Sequence, residues 1–98
     1  LTLAGAANND GGNITITASG PLTVSSDVIT TGDGVITLTA TDDGGVDDTL
    51  AVNANITIQS DQGNIILTGG QDVSLAAGVL VQTGGDGTID INADNADG

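Results

Sequence analysis

The sequence predicts an all-β chain wound as a right-handed parallel β-helix, a β-solenoid of about four coils with three short strands in each. Three observations predict it: a Gly-led alternating phrase that occurs four times, two further short aliphatic pieces between successive phrases, and a composition of strand and turn residues. The phrase reads GNITITA at 12–18, GVITLTA at 34–40, GNIILTG at 63–69 and GTIDINA at 87–93. Apolar and polar residues alternate in it, which is the period of a strand with one buried face. The leading glycines stand 22, 29 and 24 residues apart. Self-similarity at such a period marks stacked repeats.

The pieces between the phrases follow in order. Leu22-Thr23-Val24 and Val28-Ile29-Thr30 come after the first. Leu50-Ala51-Val52 and Ile56-Thr57-Ile58 come after the second, and Val73-Ser74-Leu75 and Val79-Leu80-Val81 after the third. Coils stack like on like at about 4.8 Å, so five inward aliphatic columns are expected. They are Ile14, Ile36, Ile65, Ile89; Ile16, Leu38, Leu67, Ile91; Leu22, Leu50, Val73; Val24, Val52, Leu75; and Val28, Ile56, Val79. Ile36 should then face in and Thr37 out.

A longer period lies above this one. Residues 12–30 match 63–81 without gaps, and 32–45 match 85–98 after a two-residue insertion. Thr2-Leu3-Ala4 echoes Thr49-Leu50-Ala51, while GAANND at 5–10 is expected to lack the strand that 56–58 supplies. The reading is one solenoid segment, 1–98, made of two repeats of about fifty residues, 1–48 and 49–98. Coils of this length and spread favour the right-handed form over left-handed hexapeptide helices, whose coils are shorter and more uniform. The alternative architecture is a β-sandwich module. A sandwich gives no reason for aliphatic columns at a coil period, and it usually carries a core aromatic.

Composition narrows function. All 13 acidic residues are Asp, and there is no Lys, Arg, His or Glu, so a charge of −13 is uncompensated. That disfavours nucleic acid and anionic membrane surfaces as partners. Absence of Cys removes disulfides, thiol nucleophiles and Cys-based zinc sites. Absence of Phe, Trp and Tyr removes stacking platforms for sugars and bases. Ile, Val and Leu number 26, with 14 Thr and 16 Gly, a mixture for strands and turns rather than disorder. No apolar run reaches membrane-spanning length, and no basic stretch followed by an apolar one marks a signal peptide. The chain begins mid-pattern without an initiator Met, and the expectation is a stretch of a longer repetitive protein.

GNIILTGGQDVSLAAG at 63–78 resembles the repeats of filamentous-haemagglutinin-type exoproteins. GDGVITLTATDDGG at 32–45 and GGDGTIDINADNADG at 84–98 are similar to repeats of very large bacterial surface proteins. The resemblance covers nearly the whole chain and rests on low-complexity motifs. It implies a right-handed β-helix, secretion, and a role as a long adhesin or surface stalk. The chain departs from that family in having no basic residue, and the family's amino-terminal secretion domain is not expected within these 98 residues.

Several residue groups invite a chemical role. TDDGGVDD at 41–48 and DNADG at 94–98 place Asp42, Asp43, Asp47, Asp48, Asp94 and Asp97 on Gly-containing loops. Hard oxygen ligands on flexible loops suit Ca²⁺, the one cofactor the sequence suggests. The plainer reading of both stretches is solvated acidic loops. Neither the RTX nonapeptide nor the EF-hand pattern is met. Thr15-x-Thr17 and Thr37-x-Thr39 suggest an outward Thr array of the ice-binding kind, but Ile66-x-Thr68 and Asp90-x-Asn92 break it. Asn13-Ile14-Thr15 and Asn55-Ile56-Thr57 are sequons, which also suit turn residues before strands. No catalytic role is expected. A lyase acting on acidic sugars needs a cation, and an Asp pair for glycoside hydrolysis would work here without aromatic support.

The expected function is a structural repeat segment of an extracellular or cell-surface fibre, stalk or adhesin shaft. The expected partners are copies of itself or flanking repeats, stacked head to tail, with no nucleic acid and no membrane insertion. A carbohydrate- or ice-binding surface module is the alternative.

Overall fold

The computed structural model describes residues 2–3, 7–9 (backbone only), 11–41, 48–85 and 87–93. Among them there is no helix. Coil one holds β1 (Thr2–Leu3), β2 (Ala7–Asn9) and β3 (Ile14–Ala18). Coil two holds β4 (Leu22–Val24), β5 (Val28–Thr30) and β6 (Ile36–Ala40). Coil three holds β7 (Leu50–Val52), β8 (Thr57–Ser60) and β9 (Ile65–Gly69). Coil four holds β10 (Val73–Leu75), β11 (Leu80–Thr83) and β12 (Ile89–Asn92). Three four-stranded parallel sheets result: β1-β4-β7-β10, β2-β5-β8-β11 and β3-β6-β9-β12. The chain visits each sheet once per coil, the arrangement of a β-solenoid. The strands are short because each sheet is only as wide as one side of the coil.

Four of the five expected columns hold. Ile14, Ile36, Ile65 and Ile89 stand side by side in the third sheet, as do Ile16, Leu38, Leu67 and Ile91. Leu22, Leu50 and Val73 align in the first sheet beside Val24, Val52 and Leu75. Inward positions of coils two and three are fully enclosed: Leu22, Val24, Val28, Ile36, Leu38, Leu50, Ile58, Ile65 and Leu67 have no exposed surface. β-branched and Leu side chains fill this core without an aromatic because each needs to meet only its like in the next coil.

The fifth column is corrected. Val28 pairs with Ile58 and Ile58 with Val81, so the column is Val28, Ile58, Val81 rather than Val28, Ile56, Val79. The cause is turn length. Three residues join Val24 to Val28, whereas five join Val52 to Ile58 and five join Leu75 to Val81. The longer turns pass through left-handed backbone at equivalent places, Asn55 (φ 64°) and Gly78 (φ 81°), a conformation Asn and Gly adopt most readily. The two-residue insertion thus sits between the first and second sheets, and the ungapped match of 12–30 to 63–81 breaks there.

Two further expectations are corrected at the first coil. Ala7–Asn9 does form a strand, with Ala7 beside Val28 and Asn9 beside Thr30. Backbone pairing to β5 supplies what the Ala-Asn-Asn side chains do not advertise. Leu3 lies beside Val24 and so extends the Val24–Val52–Leu75 column, not that of Leu50.

The alternation of faces is tested by two substitutions. Ile36→Ala should cost about 2–5 kcal/mol of unfolding free energy in urea, because Ile36 is wholly enclosed between Ile14 and Ile65. Thr37→Ala, on the outward face, should stay within about 0.5 kcal/mol. Equal costs would contradict the register.

Candidate functional site

At the corner between the second and third sheets Gly12, Gly34, Gly63 and Gly87 stack, and backbone of one coil lies close on the next. A Cβ on Gly34 would strike the carbonyl oxygen of Gly12, one on Gly63 that of Gly34, and one on Gly87 that of Gly63. None of the last three has left-handed backbone. Glycine is required there by the approach of one coil to the next, not by a turn. Inward hydroxyls line the same corner. Thr30 Oγ1 donates to the Gly12 carbonyl at 2.7 Å, Ser60 Oγ to that of Gly63, and Thr83 Oγ1 to that of Gly87 at 3.0 Å. Carbonyls turned inward at a corner are costly unless paired, and these hydroxyls pair them.

Backbone bonds repeat from coil to coil as well. Ile14, Ile36 and Ile65 donate their amides to Val35, Asn64 and Thr88 carbonyls at 2.9, 3.0 and 2.8 Å. Ser25, Asn53 and Ala76 donate to Leu3, Val24 and Val52 at 2.9, 3.0 and 3.0 Å. Side chains add bridges at alternate junctions: Val35 N donates to Asn13 Oδ1 at 2.9 Å and Thr88 N to Asn64 Oδ1 at 3.0 Å. Between the unequal turns of coils two and three, Thr57 N donates to Asp27 Oδ1 at 2.9 Å and Asn53 Nδ2 to Ser25 Oγ at 2.8 Å.

At coil four this packing comes out into solvent. Leu75, Ile89 and Ile91 are 41%, 43% and 44% exposed, although each continues a column that is closed in coils two and three. Leu80 is also exposed, but it pairs with Thr57 on the outward face. The opposite end is better covered: Ile14 is only 9% exposed, and Leu3 and Ile16 are partly buried. β10, β11 and β12 are each the last strand of their sheet, so among the described residues no strand pairs their outer edges. An end that joins three aliphatic columns to three open strand edges is suited to receiving another coil. Covering the exposed parts of Leu75, Ile89 and Ile91 is worth roughly 1 kcal/mol each.

No protein-family model matches this chain, and no curated protein or solved structure matches it either.

Of the six Asp residues expected as Ca²⁺ ligands, Asp42, Asp43, Asp47, Asp94 and Asp97 lie outside the described residues. Asp48 is described, and it is 2% exposed. It sits at the corner between the third and first sheets, with Gly20 on one neighbouring coil and Gln71 on the other. The Gln71 amide donates to its carbonyl at 3.1 Å, and its own amide reaches Gln71 Oε1 at 3.5 Å. Its burial between coils takes it off the open surface. No group of three metal-ligating side chains occurs among the described residues. The outward Thr block is real but small. Thr15 lies beside Thr37, and Thr17, Thr39 and Thr68 form one row, interrupted by Ile66 and then by Asp90 and Asn92. Both sequon asparagines are exposed. Asn13 is engaged in an inter-coil bond, and Asn55 forms the left-handed turn.

The glycine corner makes a sharp prediction. Gly63→Ala should lower stability by about 3 kcal/mol or more, since backbone on a neighbouring coil cannot move aside cheaply. At Gly20 a Cβ would meet, among the described residues, only Asp48 Oδ1, at 3.8 Å, and Gly20→Ala should stay within about 1 kcal/mol. Comparing urea midpoints for the two variants checks this, and parity between them would refute the close-approach account.

Proposed function

We propose that this chain is a structural segment of an extracellular, right-handed β-solenoid shaft, serving as stalk, fibre or adhesin stem. Its work is mechanical continuity, with each coil held by its neighbours and the fourth prolonged by a further coil. One observation carries the reading: the aliphatic columns that are closed at Ile65, Leu67 and Val52 reach solvent at Ile89, Ile91 and Leu75. The likeness of 63–78 to filamentous-haemagglutinin-type repeats supports placing such a shaft at a bacterial surface. The regular corner bonds support rigidity, because every coil is tied to the next at the same points. The charge of −13 supports a shaft that stays single, since like-charged sides repel lateral neighbours.

Joining two copies in one polypeptide tests this. In stacked repeats, stability grows with each nearest-neighbour contact. The double-length chain should unfold in one transition, at least about 5 °C above the single copy. Small-angle scattering should show an unchanged cross-section and a length greater by about 19 Å, four strand spacings. Two units melting at the single-copy temperature and scattering as beads on a flexible joint would overturn the reading.

A further inference from the structure

We propose that the Asp33–Gly34 peptide is a site of spontaneous backbone isomerisation, and that its conversion to an isoaspartyl linkage releases the corner between coils two and three. The inference is independent of the shaft reading.

The chemistry needs an Asp carboxyl, the amide nitrogen of the next residue, and no side chain in the way. The Gly34 nitrogen attacks Asp33 Cγ. An N–Cγ bond forms, a Cγ–O bond breaks, and the carboxyl OH leaves with the amide proton as water, closing a succinimide ring. Water then opens the ring at either carbonyl. Breaking the new N–Cγ bond restores Asp33. Breaking the bond from nitrogen to the Asp33 main-chain carbonyl carbon leaves the chain running through Cβ and Cγ, with a free carboxylate on Cα. Water is the one co-reactant, and the net charge is unchanged.

The described Asp residues are Asp27, Asp33, Asp48, Asp61, Asp72 and Asp90, and Asp33 alone among them precedes a glycine. The β-branched Val28, Thr49, Val73 and Ile91 crowd the corresponding nitrogen after Asp27, Asp48, Asp72 and Asp90. At position 34 no such shield is possible, because a Cβ there would strike the Gly12 carbonyl and Thr30 Oγ1. The corner that demands glycine therefore also exposes the susceptible bond.

Local geometry separates Asp33 from Asp61, which occupies the same corner one coil on. Asp33 is exposed, and no described residue donates to its carboxylate. Its turn runs through Gly32 in left-handed backbone (φ 62°) and is closed by the Gly34 amide on the Thr31 carbonyl at 3.3 Å, just beyond the usual range. After Asp61 the nitrogen belongs to Gln62, which carries a side chain and donates to the Gly32 carbonyl at 2.8 Å. One amide is loosely held and bare, the other firmly held and covered.

The packing gives the conversion its effect. Coil three rests on this turn: Gln62 binds the Gly32 carbonyl, and Gly63 lies so close to the Asp33 and Gly34 carbonyls that a Cβ would strike both. Isomerisation adds a methylene to the main chain there and replaces the Asp33 peptide carbonyl with a carboxylate. Close-packed backbone has no slack for either change.

The test is to hold the folded chain at neutral pH in the warm for weeks, then read the linkage at every Asp by electron-transfer fragmentation of the intact 9.4 kDa protein. Site-by-site reading matters, because 10–11, 43–44, 86–87 and 97–98 are also Asp–Gly pairs, and their Asp lie outside the described residues. Asp33 should convert, while Asp27, Asp61, Asp72 and Asp90 should not. Chains isomerised at 33 alone, separated by reversed-phase chromatography and refolded, should melt at least about 4 °C below the intact chain. Their Gln62 and Gly63 amides should exchange faster. Asp33→Glu keeps the charge but is too long to close the same ring, so it should abolish conversion at 33 and leave those amides slow. An Asp33 that keeps its normal linkage in the folded chain would overturn the site, and a parallel sample unfolded in guanidinium would show whether the turn or the bond itself resists. Conversion at 33 with unchanged melting and unchanged Gln62 and Gly63 exchange would overturn release of the corner.

Discussion

Successive coils lie about 4.8 Å apart, and three sheets impose that spacing at once. Everything else in the molecule answers to it. A side chain inside the coil meets its like from above and below, which is why aliphatics of similar size recur at Ile14, Ile36, Ile65 and Ile89. A corner that brings backbone against backbone at that distance has no room for a Cβ, so glycine recurs at 34, 63 and 87. Where turns differ in length, as between Asp27 and the longer turn through Asn55, the difference is absorbed outside the sheets and the ladders keep step. The two constraints reinforce each other: the columns hold the coils together, and the corners set how close they come.

The same geometry explains where polar residues are tolerated. Thr30, Ser60 and Asp48 are the buried polar residues among those described, and each sits at a corner rather than mid-strand. Two of them hold inward carbonyls. Asp33, Asp61, Asp72 and Asp90 are exposed, so most described carboxylates keep their hydration, and Asp27 accepts an amide from the next coil. A chain without one cation can therefore fold while stacking acidic coils on one another.

Much of the architecture is legible in the sequence because its cause is local. The alternating phrase is written in consecutive residues, so the third sheet and its two columns can be read directly, as can Leu22, Val24 and their partners. What the sequence hides depends on contacts between coils. Aliphatics occur at both steps of 56–58 and 79–81, so pattern alone admits Ile56 and Val79 as column members. Only the length of the turn through Asn55 and Gly78 decides for Ile58 and Val81. Ala7–Asn9 carries no strand-favouring side chain and is a strand because β5 offers it an edge. The leading glycines are visible as punctuation, yet their steric reason appears only once Gly34 O is seen beneath Gly63. In sequence Asp48 is one of a cluster of loop carboxylates, and nothing near it announces that Gly20 and Gln71 enclose it.

The central claim is that a coil is held by the coils on either side of it. Amide hydrogen exchange, residue by residue, tests this most directly. Exchange follows the free energy of local opening, so the account predicts slowest exchange for the amides of β6 and β7, flanked on both sides. The amides of β12 should exchange markedly faster, and they should slow when covalent joining supplies a fifth coil. Uniform protection across all four coils, or β12 amides as slow as those of β6 in the dilute single chain, would contradict it.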